Sequence, residues 1–164
     1  RTHVVLHATS ATQKAWAGPG RAWFTDALLT ALDGPAADNR FTARADLYSV
    51  STRDIVDSIK YLARNDFIDA SAGPQMPVRK GEGDFDFHTP AVPVVPVLVT
   101  RAPPTPNQGA RFLALRGAQQ VDAHDCSDQR PWRARLPIGE YEFRRDPDAI
   151  TARVVVPSTR VELP

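Results

Sequence analysis

Val4, Val5 and Leu6 form a continuous apolar run without alternation. Such a run suits a strand covered on both faces, as in a parallel α/β sheet. Ser10 to Gly20 carry three Gly or Pro residues and read as a loop. Arg21 to Asp33 reads as a helix: Trp23, Ala27 and Ala31 recur every four residues, and Phe24, Leu28 and Leu32 do so one position on. The two stripes make one broad apolar face, with both aromatics expected in the core. Gly34 follows where a left-handed C-cap belongs.

Thr42 can N-cap a short turn through Leu47 and Tyr48. Ser51 starts a second predicted helix, with Asp54 completing a capping box and Val50 able to staple onto Ile55. Ile55, Ile59 and Leu62 continue one face, and Asn65 to Gly73 read as a loop. Gly83 to Phe87 alternate polar and apolar, the period of a half-buried strand. That strand is expected at the outer side of the sheet holding Val4 to Leu6.

The character of the chain changes after His88. Six of the 15 prolines lie between Pro90 and Pro106. Proline removes ladder donors, so residues 88–106 read as a linker or an extended edge segment. Beyond it, short runs between turn residues predict an all-β module. They are Phe112–Leu115, Gln119–Asp122, Arg133–Leu136, Glu140–Arg144, Val154–Val156 and Val161–Leu163.

Composition narrows the function classes. The 164 residues can make one ordinary domain or two small ones, and 42% apolar with 24% charged residues argues against wholesale disorder. The net charge of +1 gives no electrostatic case for nucleic acid or an anionic membrane surface. No apolar run approaches the roughly 20 residues that span a bilayer. Cys126 is the single cysteine, so no internal disulfide forms and a reducing, cytoplasmic setting is expected. The chain lacks an initiator Met and enters an apolar strand by His3, which reads as a processed subunit or a piece of something longer.

Candidate chemistry is sparse. Cys126 lies in His124-Asp125-Cys126-Ser127-Asp128. A nucleophilic thiolate needs a base oriented by a third group, which neighbours on a turn rarely supply. A zinc site needs four ligands, and no second Cys/His cluster follows at ligand spacing. A solvated turn is the expected role of this segment. His3 and His7 would share one face of an unbroken strand. Gly18-Pro19-Gly20 lacks the Lys-Ser/Thr ending of a phosphate loop, no serine lies in a nucleophile elbow, and no metal-loop spacing appears.

The stretch Trp16-Ala17-Gly18-Pro19-Gly20-Arg21-Ala22-Trp23-Phe24-Thr25-Asp26-Ala27-Leu28-Leu29 resembles the small-subunit half of caspase-type cysteine proteases. There a strand leads through a loop to a Gly-Ser-Trp-Phe-like helix start, and bacterial relatives read Gly-x-Phe-Thr-x-x-Leu-Leu. Ala22-Trp23-Phe24-Thr25 is similar to both variants. Asp46-Leu47-Tyr48 resembles an Asp-Leu-Tyr stretch of bacterial members, Gln75-Met76-Pro77 the Gln-x-Pro before the last strand, and Gly83 to Phe87 that strand. The ordered set spans residues 3 to 87, about half the chain.

The resemblance implies a caspase-like mixed sheet with covering helices over residues 1–87, an α/β architecture, followed by an all-β module over 107–164. It implies no catalytic residue in this chain: the family's His and Cys belong to earlier strands, in an N-terminal catalytic chain or large subunit that would be this chain's partner. The small-subunit half contributes substrate pockets for a peptide or protein. This points to Ser10, Thr12 and Gln13 in the loop after the first strand, and to Trp16 and Trp23 as pocket aromatics, with core packing the other reading of the two Trp residues. Ala17 stands where animal members place an Arg that holds an acidic residue, so cleavage after Asp does not carry over. No cofactor or metal is implied. A second class also fits: a non-catalytic regulatory or scaffold protein with a degenerate caspase-like fold and a partner-binding β-domain. Leu136-Pro137-Ile138-Gly139-Glu140-Tyr141 resembles the Leu-Pro-x-Gly-x-Tyr turn of small prealbumin-like β-sandwiches, with Gly permitting the turn and Tyr burying its ring.

Overall fold

A computed structural model describes residues 3–9, 22–38, 48–67, 76–101, 111–125 and 131–164. The chain divides into two compact units, Arg1–Val94 and Val95–Pro164. The described residues are mostly β, with two helices.

In the first unit, β1 (Val5–His7) pairs antiparallel with β4 (Val78–Lys80). A second sheet has the order β2 (Ala37–Asp38), β3 (Ser49–Ser51), β5 (Asp86–His88). The helices are α1 (Trp23–Asp33) and α2 (Thr52–Arg64). The expected helix over Arg21 to Asp33 therefore starts two residues later, and its deep contacts come from Ala27 and Ala31. Trp23, Phe24, Leu28 and Leu32 are only partly buried, packed around a cluster of Ala27, Ala31, Ala36, Ala37, Val50, Ile55 and Ile59. Gly34 is extended, φ 176°, rather than left-handed. The helix end is closed instead by the Ala36 N–H, which donates to the Ala31 carbonyl at 3.0 Å.

The Ser51 cap of α2 forms as its residues predict. Ser51 Oγ accepts from Asp54 N–H at 3.2 Å and donates to the Asp54 carboxylate at 2.6 Å. Val50 and Ile55 are both fully buried in the same cluster, as a hydrophobic staple requires. Ile55, Ile59 and Leu62 form the buried stripe. The buried Ser58 hydroxyl donates to the Pro35 carbonyl at 3.0 Å, so its polarity is satisfied.

Two strand expectations are corrected. The Val4–Leu6 run is not covered on both faces: exposure alternates, with His3, Val5 and His7 outside and Val4 and Leu6 half-buried. Nor does the Gly83–Phe87 stretch join β1. Its Asp84 carboxylate accepts from the Thr52 hydroxyl at 2.8 Å and from Arg53 N–H at 3.1 Å, and the Phe85 carbonyl accepts from Thr52 N–H. These contacts bind residues 84–85 to the start of α2, where a carboxylate is favoured by the helix dipole. The strand begins only at Asp86, pairs with β3, and is exposed throughout.

The second unit is a β-sandwich. One antiparallel sheet has the order β11 (Asp148–Val154), β10 (Gly139–Arg145), β7 (Arg111–Arg116), β8 (Gln119–Asp125). The other has the order β12 (Thr159–Leu163), β6 (Val94–Arg101), β9 (Trp132–Pro137). Val95, Val97, Val99, Trp132, Leu136, Val161 and Leu163 from one sheet meet Phe112, Ala114, Tyr141, Phe143 and Val154 from the other in one apolar layer. Alternation produces this directly, most visibly in β9, where Trp132, Ala134 and Leu136 are buried and Arg133 and Arg135 exposed.

Here the linker-or-edge expectation for residues 88–106 gives way over 94–101, while 102–106 lie outside the described residues. Residues 94–101 are a middle strand, between β12 and β9. Pro96 is tolerated beside β12 because the parallel ladder with that strand begins one residue later, at Val97 paired with Thr159. The run Val154–Val156 contributes only its first residue to β11, whose other residues precede the run. The Pro137–Tyr141 turn forms as its residues imply. Gly139 takes φ +151°, and Tyr141 buries its ring while its hydroxyl donates to the Pro137 carbonyl at 2.9 Å.

Candidate functional site

The residues expected to contact a substrate fall unevenly on the structure. Ser10, Thr12, Gln13 and Trp16 lie outside the described residues, as does Cys126. Trp23 is the first residue of α1 and half-buried, with its ring against the Ala-rich cluster. Its core contact is thus established. The Ala22 carbonyl accepts from Thr25 and Asp26 N–H at 2.9 and 3.2 Å, which anchors the helix start without a side-chain cap.

The β1–β4 pair is the surface nearest to this expectation in sequence. Its register sets Val5 opposite Lys80, Leu6 opposite Arg79 and His7 opposite Val78. Directly opposed residues share a face. One face therefore carries Val5, Lys80, His7 and Val78; the other carries Leu6 and Arg79. His3 and His7 are both exposed, but β1 begins only at Val5, so the unbroken strand that would set them on one face is not seen. The aromatic rings of Phe85 and Phe87 stack at 6.0 Å while 46% and 55% exposed, an apolar pair on the surface beside the start of α2.

The sandwich carries a groove that the residue pattern did not reveal. It has a volume of about 560 Å³ and is lined by charged residues, among them Arg111, Glu142, Arg144, Asp146 and Asp148, together with Leu113. Register explains it: Leu113, Arg144 and Ala149 form one cross-strand row on the outer face of the four-stranded sheet. Glu142 forms a hydrogen-bonded ion pair with Arg144 and holds that guanidinium more firmly protonated. Arg111 pairs with Asp125 at 3.6 Å. The outward Glu142 and Arg144 of an alternating strand, followed by Asp146-Pro147-Asp148, were the signal available in the sequence. On the inner side, burial raises the Tyr141 pKa above its ordinary value, although Arg116, 5.8 Å from the ring centre, pulls the other way.

Among the described residues, no group of three or more His, Cys, Asp or Glu side chains could hold a metal ion. No described helix is long and apolar enough to cross a membrane.

No protein-family model matches the chain, and no curated protein matches it. Among solved structures, the Bacillus anthracis TIE protein aligns with a TM-score of 0.36 at 12% identity, over 55% of this chain and 26% of that one. The chain thus spans about a quarter of that protein's length. A likeness of that size is too small to establish a shared fold.

Proposed function

We propose that the first unit is the substrate-groove half of a caspase-like cysteine endopeptidase, accompanied by a β-sandwich. The observation that supports this reading is one of order. The chain runs β1, α1, the short strands β2 and β3, α2 and then, directly after Gln75-Met76-Pro77, β4, which pairs antiparallel with β1. Apart from β2 and β3, this order resembles the strand, helix, helix, Gln-x-Pro and strand on which the resemblance rests, with the last strand at Val78–Lys80 instead of residues 83–87.

The chemistry would be covalent. In an N-terminal companion segment, a His takes the proton of a Cys, and the thiolate attacks the scissile carbonyl. Backbone amides stabilise the oxyanion. The C–N bond breaks, the amine leaves with the proton from His, and water then cleaves the thioester. This chain would supply two sheet strands, two covering helices and part of the peptide groove, in the cytoplasm and without a cofactor. The test is to express the chain with the polypeptide encoded immediately upstream of Arg1 and add a thiol-reactive peptide probe. Label on an upstream cysteine supports the protease; label confined to Cys126 contradicts it.

The charged groove of the sandwich favours a second reading, a non-catalytic scaffold that binds partners through its β-domain. With no upstream label, and with complex formation lost when Asp146 and Asp148 are changed to Lys, the scaffold reading replaces the protease.

A further inference from the structure

The four-stranded sheet of the sandwich has two unlike edges. At one, β8 shifts register where it pairs with β7 and carries Asp122 and Asp125. Irregularity and charge of this kind blunt an edge against further pairing. At the other, β11 has no such device. Its seven residues pair with β10 in unbroken register from Asp148 to Val154, without Lys or Pro, and its charged residues, Asp148 and Arg153, stand near its ends. Among the described residues β10 is its one strand neighbour. Ile150 lies directly across from Phe143, which is fully buried, yet Ile150 itself is 38% exposed. Opposed residues share a face, so the inner layer of the sandwich ends at β11 with an apolar side chain uncovered. A further strand beside β11 would cover it.

The charged groove lies on the outer face of the same edge. Ala149 ends the cross-strand row of Leu113, Arg144 and Ala149, is exposed, and lines the groove with a single methyl group. The charge there is unbalanced. Arg144 is engaged by Glu142 and Arg111 by Asp125, so two arginines stand against four carboxylates once Asp146 and Asp148 are counted. The excess negative charge falls to Asp146 and Asp148, on either side of Pro147. Leu113, Pro147 and Ala149 add apolar surface beside them. Carboxylates next to apolar surface suit a cation on an aliphatic stem, which covers the apolar wall with its methylenes and keeps its charge at the carboxylates. On an added strand, the residue across from Ala149 would hold its Cβ about 5 Å from that of Ala149, on the groove side of the sheet. A lysine or arginine at that position reaches over the methyl group into the groove.

We propose that β11 accepts an extended polypeptide segment as a fifth strand of this sheet, with a lysine or arginine of that segment seated in the Asp146–Asp148 groove and the next residue covering Ile150. This names the partner in the scaffold reading, on which it rests, and needs no protease activity. Main-chain bonds to β11 supply the affinity, and the basic side chain selects the partner. The test titrates the ¹⁵N-labelled full chain with Ac-Ser-Val-Lys-Val-Ser-NH2 and follows the backbone N–H signals of Ala149 to Arg153. That peptide reads the same in both directions, so it fits a parallel or an antiparallel strand. The expected result is a shift of these signals with a Kd at least about tenfold lower than for the peptide with Glu in place of Lys, because reversing the charge exchanges attraction for repulsion at two carboxylates. N-methylation of the Lys and both Val amides removes the donors an added strand needs and should abolish the shifts. Asp146→Asn combined with Asp148→Asn should cut the preference for Lys over Glu to less than about threefold while the peptide still moves β11. The proposal is overturned if the β11 signals stay still, if the Glu peptide binds as tightly as the Lys peptide, or if the N-methylated peptide binds equally well. It is also overturned if those signals broaden with protein concentration before any peptide is added, which assigns the edge to a second copy of this chain. Unmoved β11 signals in a chain whose complexes are lost on Asp146→Lys and Asp148→Lys sink strand addition and spare the scaffold reading.

Discussion

The two units reach a buried interior by different means. The sandwich closes one apolar layer between its own two sheets, with Phe112, Trp132, Tyr141 and Phe143 at its centre. Their rings lie 6.1 to 6.4 Å apart in tilted and edge-on pairs. The first unit instead seats an alanine face of α1 on α2 and β3, and leaves Trp23, Phe24, Leu28 and Leu32 partly covered. Leu29, on the far side of α1, is 41% exposed. Large side chains fill the gap between sheets that stand about 10 Å apart, whereas alanines let a helix approach closely. The sandwich thus has a deep core and the first unit a shallow one.

The largest expected effect tests the depth of the sandwich core. Phe143→Ala should lose about 3–5 kcal/mol in denaturant unfolding of the full chain, from lost burial plus the cavity left behind. A loss below about 1 kcal/mol would show that the layer collapses easily and would erase the contrast. In the shallow unit the opposite change is informative. Ala31→Leu inserts volume where α1 sits closest and should cost about 1–3 kcal/mol by overpacking. No cost would mean that the alanine contact is loose. Ser51→Ala removes the cap of α2 and should cost about 1 kcal/mol, read as earlier melting of helical circular dichroism.

The smallest effect concerns Tyr141→Phe, which deletes the hydroxyl bond to the Pro137 carbonyl and should cost about 0.5–1 kcal/mol at neutral pH. Its sharper readout is alkaline. The folded-state pKa of Tyr141 is raised by burial, so the folded protein holds that proton more tightly than the unfolded chain. The resulting stability is present below the ordinary tyrosine value of 10.0 and is lost as pH climbs through the raised folded value. The Phe variant should show a shallower loss of stability over that range than the parent. Identical alkaline profiles would place the proton response on another tyrosine.

Much of the sandwich is legible in the sequence. Five of the six runs expected there coincide with β7, β8, β9, β10 and β12, because a strand of five residues or more repeats its alternation often enough to be read. β11 escaped notice since it is an edge strand, exposed along most of its length, with Ile150 and Ala152 diluted by polar neighbours. β6 escaped because its prolines argued for a linker, while its ladder starts just beyond Pro96. In the first unit the strands are only two or three residues long, too short for a period to show. Of the candidate site, Trp23 was legible as an aromatic on the inner face of α1. The charged groove was not, since only strand pairing sets Arg144 beside Leu113 and Ala149.

What the sequence determined by itself is local: the presence of α1 and its end at Asp33, the Ser51–Asp54 cap with its Val50–Ile55 staple, and the turn that buries Tyr141. Each depends on residues within a few positions of one another, where side-chain period and capping chemistry act without help from the rest of the chain. Tertiary structure decided the pairings: β4 rather than residues 83–87 beside β1, and β6 in the middle of its sheet. A strand presents donors and acceptors on both edges whatever its sequence. Its partner is therefore chosen by competing contacts made far away along the chain, such as the hold of Asp84 on the first turn of α2.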